Sequence, residues 1–454
     1  MFPNRLKAAL PALIAATLVS ACGGGGGSSS AMPENFQVVE GDSQVTITWK
    51  QEAGVQYWLF YAPTTADIAT VDSWKKTPGA LSKVGDKGKG ISSPYVITGL
   101  TNDKSYDFLL NGRTDGGEGG PTASLSPKTP RQSGTAWLGG NPLSSGTPLL
   151  SDKLMRSVAY GLTTSSASTY SYVAVGHGGK IYTTPDTDGE RSYGAITSSV
   201  LQPLKWISPT GTQVSGSIDL KGVVYAVSPR KYIAVGTAGS VAYSSDINNW
   251  TTLDSTTTGT TNTLNAVASN GASLVVAVGD NGTIRYSTDG TSWTAANAIT
   301  PATSANLYGV AYSAKGEWVA VGDGGTVLTS TDGSNWTATT QSGALKSVAA
   351  VTHVANSVIT YAFVAVGSDG TVLTRTDDNA WSAQTLTGSF YAASAGSRLV
   401  AAGTNGAIFT CEIPCVSWVV PPTKPTTTET IFGLLNAQNT YTAVGSNSLS
   451  LYSY

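Results

Sequence analysis

Between residues 173 and 445 one short apolar tetrad recurs seven times, at Val173–Gly176, Ile233–Gly236, Val276–Gly279, Val319–Gly322, Val364–Gly367, Val400–Gly403 and Thr442–Gly445. Successive final glycines stand 60, 43, 43, 45, 36 and 42 residues apart. A β-rich unit repeated at such a period cannot bury both of its own faces, so each copy must stack on its neighbours. Read from Leu307, one unit has strands at Leu307–Tyr312, Trp318–Gly322 and Thr326–Ser330 and an outer strand at Trp336. Between them lie the turns Asp323-Gly324-Gly325 and Thr331–Asn335. The triplets at 280–282, 323–325, 368–370 and 404–406 all carry residues that tolerate positive φ in tight hairpins.

Four antiparallel strands per period match a β-propeller blade, which predicts a seven-bladed propeller over residues 133–454. An outer Trp follows the tetrad glycine by 14 residues at Trp250, Trp293, Trp336 and Trp381, yet the chain ends nine residues after Gly445. The seventh blade therefore lacks its outer strand. Thr135-Ala136-Trp137-Leu138 has the same Trp-centred pattern and is predicted to fill the gap as an N-terminal clasp. Seven equivalent tryptophans follow: Trp137, Trp206, Trp250, Trp293, Trp336, Trp381 and Trp418.

The runs Ser287–Trp293 and Ser330–Trp336 resemble the Asp-box (BNR) repeats of sialidase-type and photosystem-assembly-factor-like propellers, one residue shorter than usual, with looser copies at Ser245-Asp246 and Thr376-Asp377. Asp246, Asp289, Asp332 and Asp377 are expected to accept from turn N–H groups while the Trp packs between blades. A catalytic acid has no reason to recur at four equivalent positions. Cys411 and Cys415 stand where the sixth blade should have this turn and are expected to pair in an oxidising compartment. Metal or redox chemistry is the alternative, but no His or third Cys is near and the spacing is not Cys-x-x-Cys.

Ahead of the repeats, Val45–Trp49, Tyr57–Tyr61, Tyr95–Ile97 and Tyr106–Leu110 alternate as strands. With Trp49, Leu100 and Tyr106 at its core and corner positions, the segment 33–130 resembles a fibronectin type III sandwich, interrupted by an unusual insertion at Thr64–Gly90. Arg5 and Lys7 precede an apolar run from Ala8 to Val19 that is too short to span a bilayer and reads as a signal peptide over 1–22. Val19-Ser20-Ala21-Cys22 resembles the lipobox of bacterial lipoproteins, which implies cleavage before Cys22 and its lipidation. An ordinary secretory signal with a chance cysteine is the alternative. Gly23, in place of Asp, implies release to the outer membrane, and residues 23–32 form a flexible Gly/Ser tether.

With 26 basic and 28 acidic residues and no Lys/Arg block in the body of the chain, nucleic acid is not an expected partner. The 2 His lie far apart, which disfavours His-based metal sites and nucleophile triads. No catalytic residue, metal ligand or cofactor is assigned. The residue after the first apolar position of each inner strand is Arg156, Lys221, Asn265, Tyr308, Lys346, Tyr391 or Phe432. Three cations, three aromatics and an amide suit a glycan or a protein ligand such as an anionic peptide at the channel mouth; the alternative is that they only line blade seams. The expected role is a non-catalytic envelope binding module on the periplasmic or cell-surface side, with a periplasmic assembly scaffold as the alternative. A sialidase-like glycoside hydrolase is disfavoured, because the arginines stand at non-equivalent positions and no carboxylate pair can be nominated.

Overall fold

The computed structural model describes residues 33–454 apart from 42, 65–81, 85–89, 94, 103, 114–121, 129, 131–132, 136, 141–153, 165–168, 185–205, 356–357, 423, 425, 438–439 and 454. Cys22, the signal segment 1–22 and the tether 23–32 lie outside the described residues. Two compact units are formed, the first by residues up to Val38, Thr46–Ile97 and Lys104–Thr129, the second by Val39–Val45, Thr98–Asp103 and Pro130–Tyr454. Ahead of the repeats, Gln37–Gly41, Gln44–Thr48 and Tyr95–Thr98 make one sheet. Ser82–Val84, Gln56–Pro63, Tyr106–Arg113 and Thr122–Lys128 make the other. The insertion at 64–90 thus contributes an edge strand, and Trp58, Phe60, Ala62 and Leu109 form an apolar cluster.

The second unit is a closed ring of seven sheets. Its inner strands are Met155–Leu162, Leu220–Ala226, Leu264–Ser269, Leu307–Ser313, Leu345–Ala355, Phe390–Ala395 and Ile431–Ala437. Each packs on the inner strand of the next blade, and the seventh packs on the first. Seven apolar clusters lie between successive blades. One sets Ala159, Val173 and Val175 of the first blade against Leu220, Tyr232 and Trp250 of the second, and the closing cluster sets Val444 against Met155, Val158 and Trp206.

The tetrad lies in the second strand of every blade, and its glycine has a steric reason. A Cβ at Gly279 would meet the Thr263 carbonyl oxygen at 2.0 Å, at Gly322 that of Asn306 at 2.1 Å, and at Gly445 that of Thr430 at 2.1 Å. Here the chain entering the inner strand crosses directly over the glycine backbone, so any side chain forces the two apart.

All seven tryptophans occupy one register. In each blade the residue after the Trp pairs with the third strand: Leu138 with Tyr452, Ile207 with Thr183, Thr251 with Tyr243, Thr294 with Tyr286, Thr337 with Thr329, Ser382 with Thr374 and Val419 with Thr410. The seventh blade is completed by Leu138–Gly140, antiparallel to Ser450–Ser453. Trp137 is buried between the sixth and seventh blades, and its Nε1 donates to the Gly134 carbonyl at 3.0 Å. Trp250 donates to Ile247 O and Trp336 to Gly333 O in the same way.

Departures from equivalence have local causes. Trp381 and Trp418 are only partly buried. The Arg375 guanidinium lies 5.2 Å from the Trp381 ring centre, and Trp418 follows a turn closed by the Cys411–Cys415 disulfide. The outer strands of the first and sixth blades shrink to single bridges, Thr183 with Ile207 and Thr410 with Val419. The fourth blade gains a fifth strand, Ala298–Thr300, parallel to Asn335–Thr340.

Three of the four turn aspartates behave as expected. Asp332 Oδ1 accepts from the Ser334 and Asn335 N–H groups, both at 2.8 Å, and Asp289 and Asp246 repeat the pattern. Asp377 does not. The left-handed position falls on Asp377 itself at φ 51°, one residue earlier than at Ile247, Gly290 and Gly333 in the other three turns, and its carboxylate turns to the Tyr361 N–H at 3.0 Å.

Candidate functional site

The pairing between first and second strands skips one residue in every blade. Leu220 faces Gly236 and Gly222 faces Val235, leaving Lys221 bulged; the same slip leaves Asn265, Tyr308, Lys346, Tyr391 and Phe432 unpaired. In the first blade Arg156 is the residue skipped. A bulge re-aims its side chain away from the sheet. All seven bulged side chains converge on one cavity of about 120 Å³.

A small residue always follows the bulge: Ser157, Gly222, Ala266, Gly309, Ser347, Ala392 or Gly433. It lets adjacent inner strands come together. A Cβ at Gly309 would lie 2.8 Å from the Val348 nitrogen, and the Ser157 hydroxyl accepts from the Val223 N–H at 3.2 Å. This pattern is visible in the sequence; the bulge it accompanies is not.

Around the mouth the ring divides into two unlike sectors. From the second to the fifth blade, each polar ring residue has a carboxylate partner. Lys346 Nζ lies 2.9 Å from Asp323 Oδ1 and 3.8 Å from the Tyr308 ring centre, and the Tyr308 hydroxyl donates to Asp323 Oδ2 at 2.9 Å. Asn265 donates to Asp280 Oδ1 at 2.8 Å and to the Leu307 carbonyl. Lys221 Nζ sits 3.9 Å from Asp219, which also holds His177 Nδ1 at 2.7 Å and accepts from the Gly178 N–H. Burial raises the Asp323 carboxyl, but the hydrogen bonds from Lys346 and Tyr308 outweigh it and hold the group below its usual range. Burial and the nearby Arg156 charge lower Lys221, partly offset by Asp219.

Across the sixth, seventh and first blades the mouth is aromatic and cationic. The Tyr391 and Phe432 rings are 5.5 Å apart and tilted by 56°, and the Arg156 guanidinium carbon lies 4.8 Å from the Phe432 ring centre. Arg156 Nε is buried without a hydrogen-bond partner, and no carboxylate forms an ion pair with Arg156 among the described residues. Burial pulls its pKa down, as expected for a guanidinium removed from water, and the Asp219 charge offsets this only in part.

The seven ring residues read from sequence are thus brought together. The carboxylates Asp219, Asp280 and Asp323 that complete the polar sector were not singled out as its partners, although Asp280 and Asp323 open the turns Asp-Asn-Gly and Asp-Gly-Gly. Among the described residues no group of three or more His, Cys, Asp or Glu could hold a metal ion.

No protein-family model matches the chain, and no curated protein does. Among solved structures, the chain is similar to YCF48 bound to D1 peptide, with 16% identity, a TM-score of 0.49 and 72% of this chain covered against 98% of that one. It is also similar to YCF48 from Cyanidioschyzon merolae, with 14% identity, a TM-score of 0.48 and 70% against 98% covered. The WD40 β-propeller domain of Doa1 follows with 11% identity, a TM-score of 0.47 and 71% against 96% covered.

Proposed function

We propose that this chain is a non-catalytic binding module of the bacterial envelope whose propeller takes a protein or glycan ligand at the channel mouth. The first unit is then a fibronectin type III-like spacer, and lipid on Cys22 holds the protein at the outer membrane. One observation carries the binding role: seven bulges in seven blades aim seven large or polar side chains into one cavity. Neither strand pairing nor interblade packing requires those side chains, since the adjoining small residues make the strand contacts. The carboxylates support a binding rather than hydrolytic role. Asp219, Asp246, Asp289, Asp323, Asp332 and Asp369 all titrate below their usual range, whereas a glycosidase acid needs a raised one.

Pull-down from envelope extracts and a glycan array, run with the full chain and with a variant carrying Tyr308→Ala, Tyr391→Ala and Phe432→Ala, test the reading. Ligand capture by the wild type and its loss in the variant are expected; equal capture by both overturns it. Protease shaving of intact cells separates a surface-exposed module from a periplasmic scaffold. Incorporation of labelled fatty acid that disappears with Cys22→Ala tests the anchor.

A further inference from the structure

We propose that the Arg156, Phe432 and Tyr391 sector is a carboxylate site for a polypeptide ligand. An acidic side chain or a free chain terminus enters against the guanidinium, and the apolar residue beside it lies on the two rings. This rests on the binding-module reading and narrows it to one sector and one ligand chemistry.

Three features support this choice. Arg156 is the ring cation that no carboxylate meets in an ion pair among the described residues, since Lys346 is held by Asp323 and Lys221 by Asp219, whose charge acts on Arg156 only from beyond ion-pair distance. A desolvated guanidinium is poorly satisfied by an aromatic face alone and gains most from a carboxylate that takes two parallel N–H donors. Next, the hydrogen-bonding groups of the mouth that could serve sugar hydroxyls are already engaged with one another, as Asn265 is with Asp280 and Tyr308 is with Asp323. What remains open is a positive charge beside two apolar rings. Last, the cavity of about 120 Å³ is well below the roughly 300–1,000 Å³ of small-molecule pockets. That size suits one side chain or chain end inserted from a ligand lying across the face.

The probe is an array of dodecapeptides in which a Phe-Glu pair, or a Phe-Gln pair as control, is moved along a Gly/Ser background. Each is made with a free and with an amidated C-terminus. The full chain is applied as wild type, Arg156→Met, Arg156→Lys and Lys315→Met, with melting temperatures to confirm that each variant is folded. Arg156→Met keeps the packing volume on Phe432 and removes the charge.

The expected result is retention of Phe-Glu or free-terminus peptides over the amidated Phe-Gln control. Binding should fall about ten-fold or more in Arg156→Met, fall less in Arg156→Lys, and stay within about two-fold in Lys315→Met, a cation paired with Asp378 outside the cavity. Preference for internal Glu identifies a side chain as the source of the carboxylate, and preference for the free end identifies a terminus. Retention that ignores the Glu-to-Gln change, or that survives Arg156→Met, overturns the carboxylate site and leaves the binding-module reading standing. If the wild type retains none of the peptides while the pull-down still captures a ligand, only the carboxylate site is overturned; if neither experiment yields a ligand, both readings fall.

Discussion

The fourth and seventh blades reach the same geometry from opposite arrangements of the chain. The fourth takes its four blade strands from the single stretch Leu307–Thr340. The seventh takes three from Ile431–Ser453 and the last from Leu138–Gly140. Even so, Trp336 and Trp137 sit at one register, are both buried, and donate to the carbonyl three residues earlier. The contact of Trp137 with Gly134 copies one that the second and fourth blades make within themselves, and Gly134 N–H is tied to the Ser453 hydroxyl at 3.0 Å. Interblade packing therefore selects a local conformation regardless of which end of the chain supplies it.

The largest test of this equivalence removes the two tryptophans. Trp336→Ala and Trp137→Ala should each cost about 3–5 kcal/mol, the usual loss for a buried large aromatic. Denaturant melts of the two variants check it, and a cost under about 1 kcal/mol at Trp137 would show that the ring does not depend on its clasp. Next come the tetrad glycines. Gly322→Ala and Gly445→Ala place a Cβ 2.1 Å from a backbone carbonyl in both blades, so both should be destabilised by about 1–3 kcal/mol or more and by similar amounts. Unequal losses would mean that the closing blade is looser.

Smaller effects should separate the two blades. Asp332→Ala removes two backbone and two side-chain hydrogen bonds of the turn and should cost about 0.5–2 kcal/mol, by analogy with helix caps. The closing blade has Ser133 in place of an aspartate at the matching position, so it should not share this loss. The same chemistry predicts a pH effect. In Asp332 the Asn335 N–H and side-chain amide depress the carboxyl; in Asp289 burial opposes the Ser292 and Thr291 N–H groups and loses. Each group binds its proton less readily folded than unfolded. Its stabilisation is whole above about pH 4 and is lost as the pH falls through the depressed value. Melting temperatures between about pH 5 and pH 2 should decline less steeply in Asp289→Asn/Asp332→Asn than in the wild type. Parallel declines would mean that these turns do not govern acid stability.

Much of this geometry was legible beforehand. The tetrad glycine fixes where the second strand ends because only a bare backbone fits under the incoming chain. The Trp spacing identified the short seventh blade, and the ring residues could be counted off the first apolar position of each inner strand. Asp377 was misread because the Asp does not by itself decide which residue takes the positive φ: Ile247 takes it after Asp246, whereas at Asp377 it falls one residue earlier and the carboxylate leaves its own turn. The loop at 294–305 gave no strand signal, since the pairing of Ala298–Thr300 depends on the exposed edge of another blade.

The sequence by itself determined the number of blades, the need for a clasp and the identity of the ring side chains. These follow from short-range periodicity and from steric requirements that recur in every copy. Only the tertiary structure decided which ring residues neutralise each other. Asp323 meets Lys346 across 23 positions of sequence, and Arg156 meets Phe432 only where the two ends of the chain are brought together. Repetition can set a period, but charge pairing across a mouth depends on how seven copies with different side chains face one another.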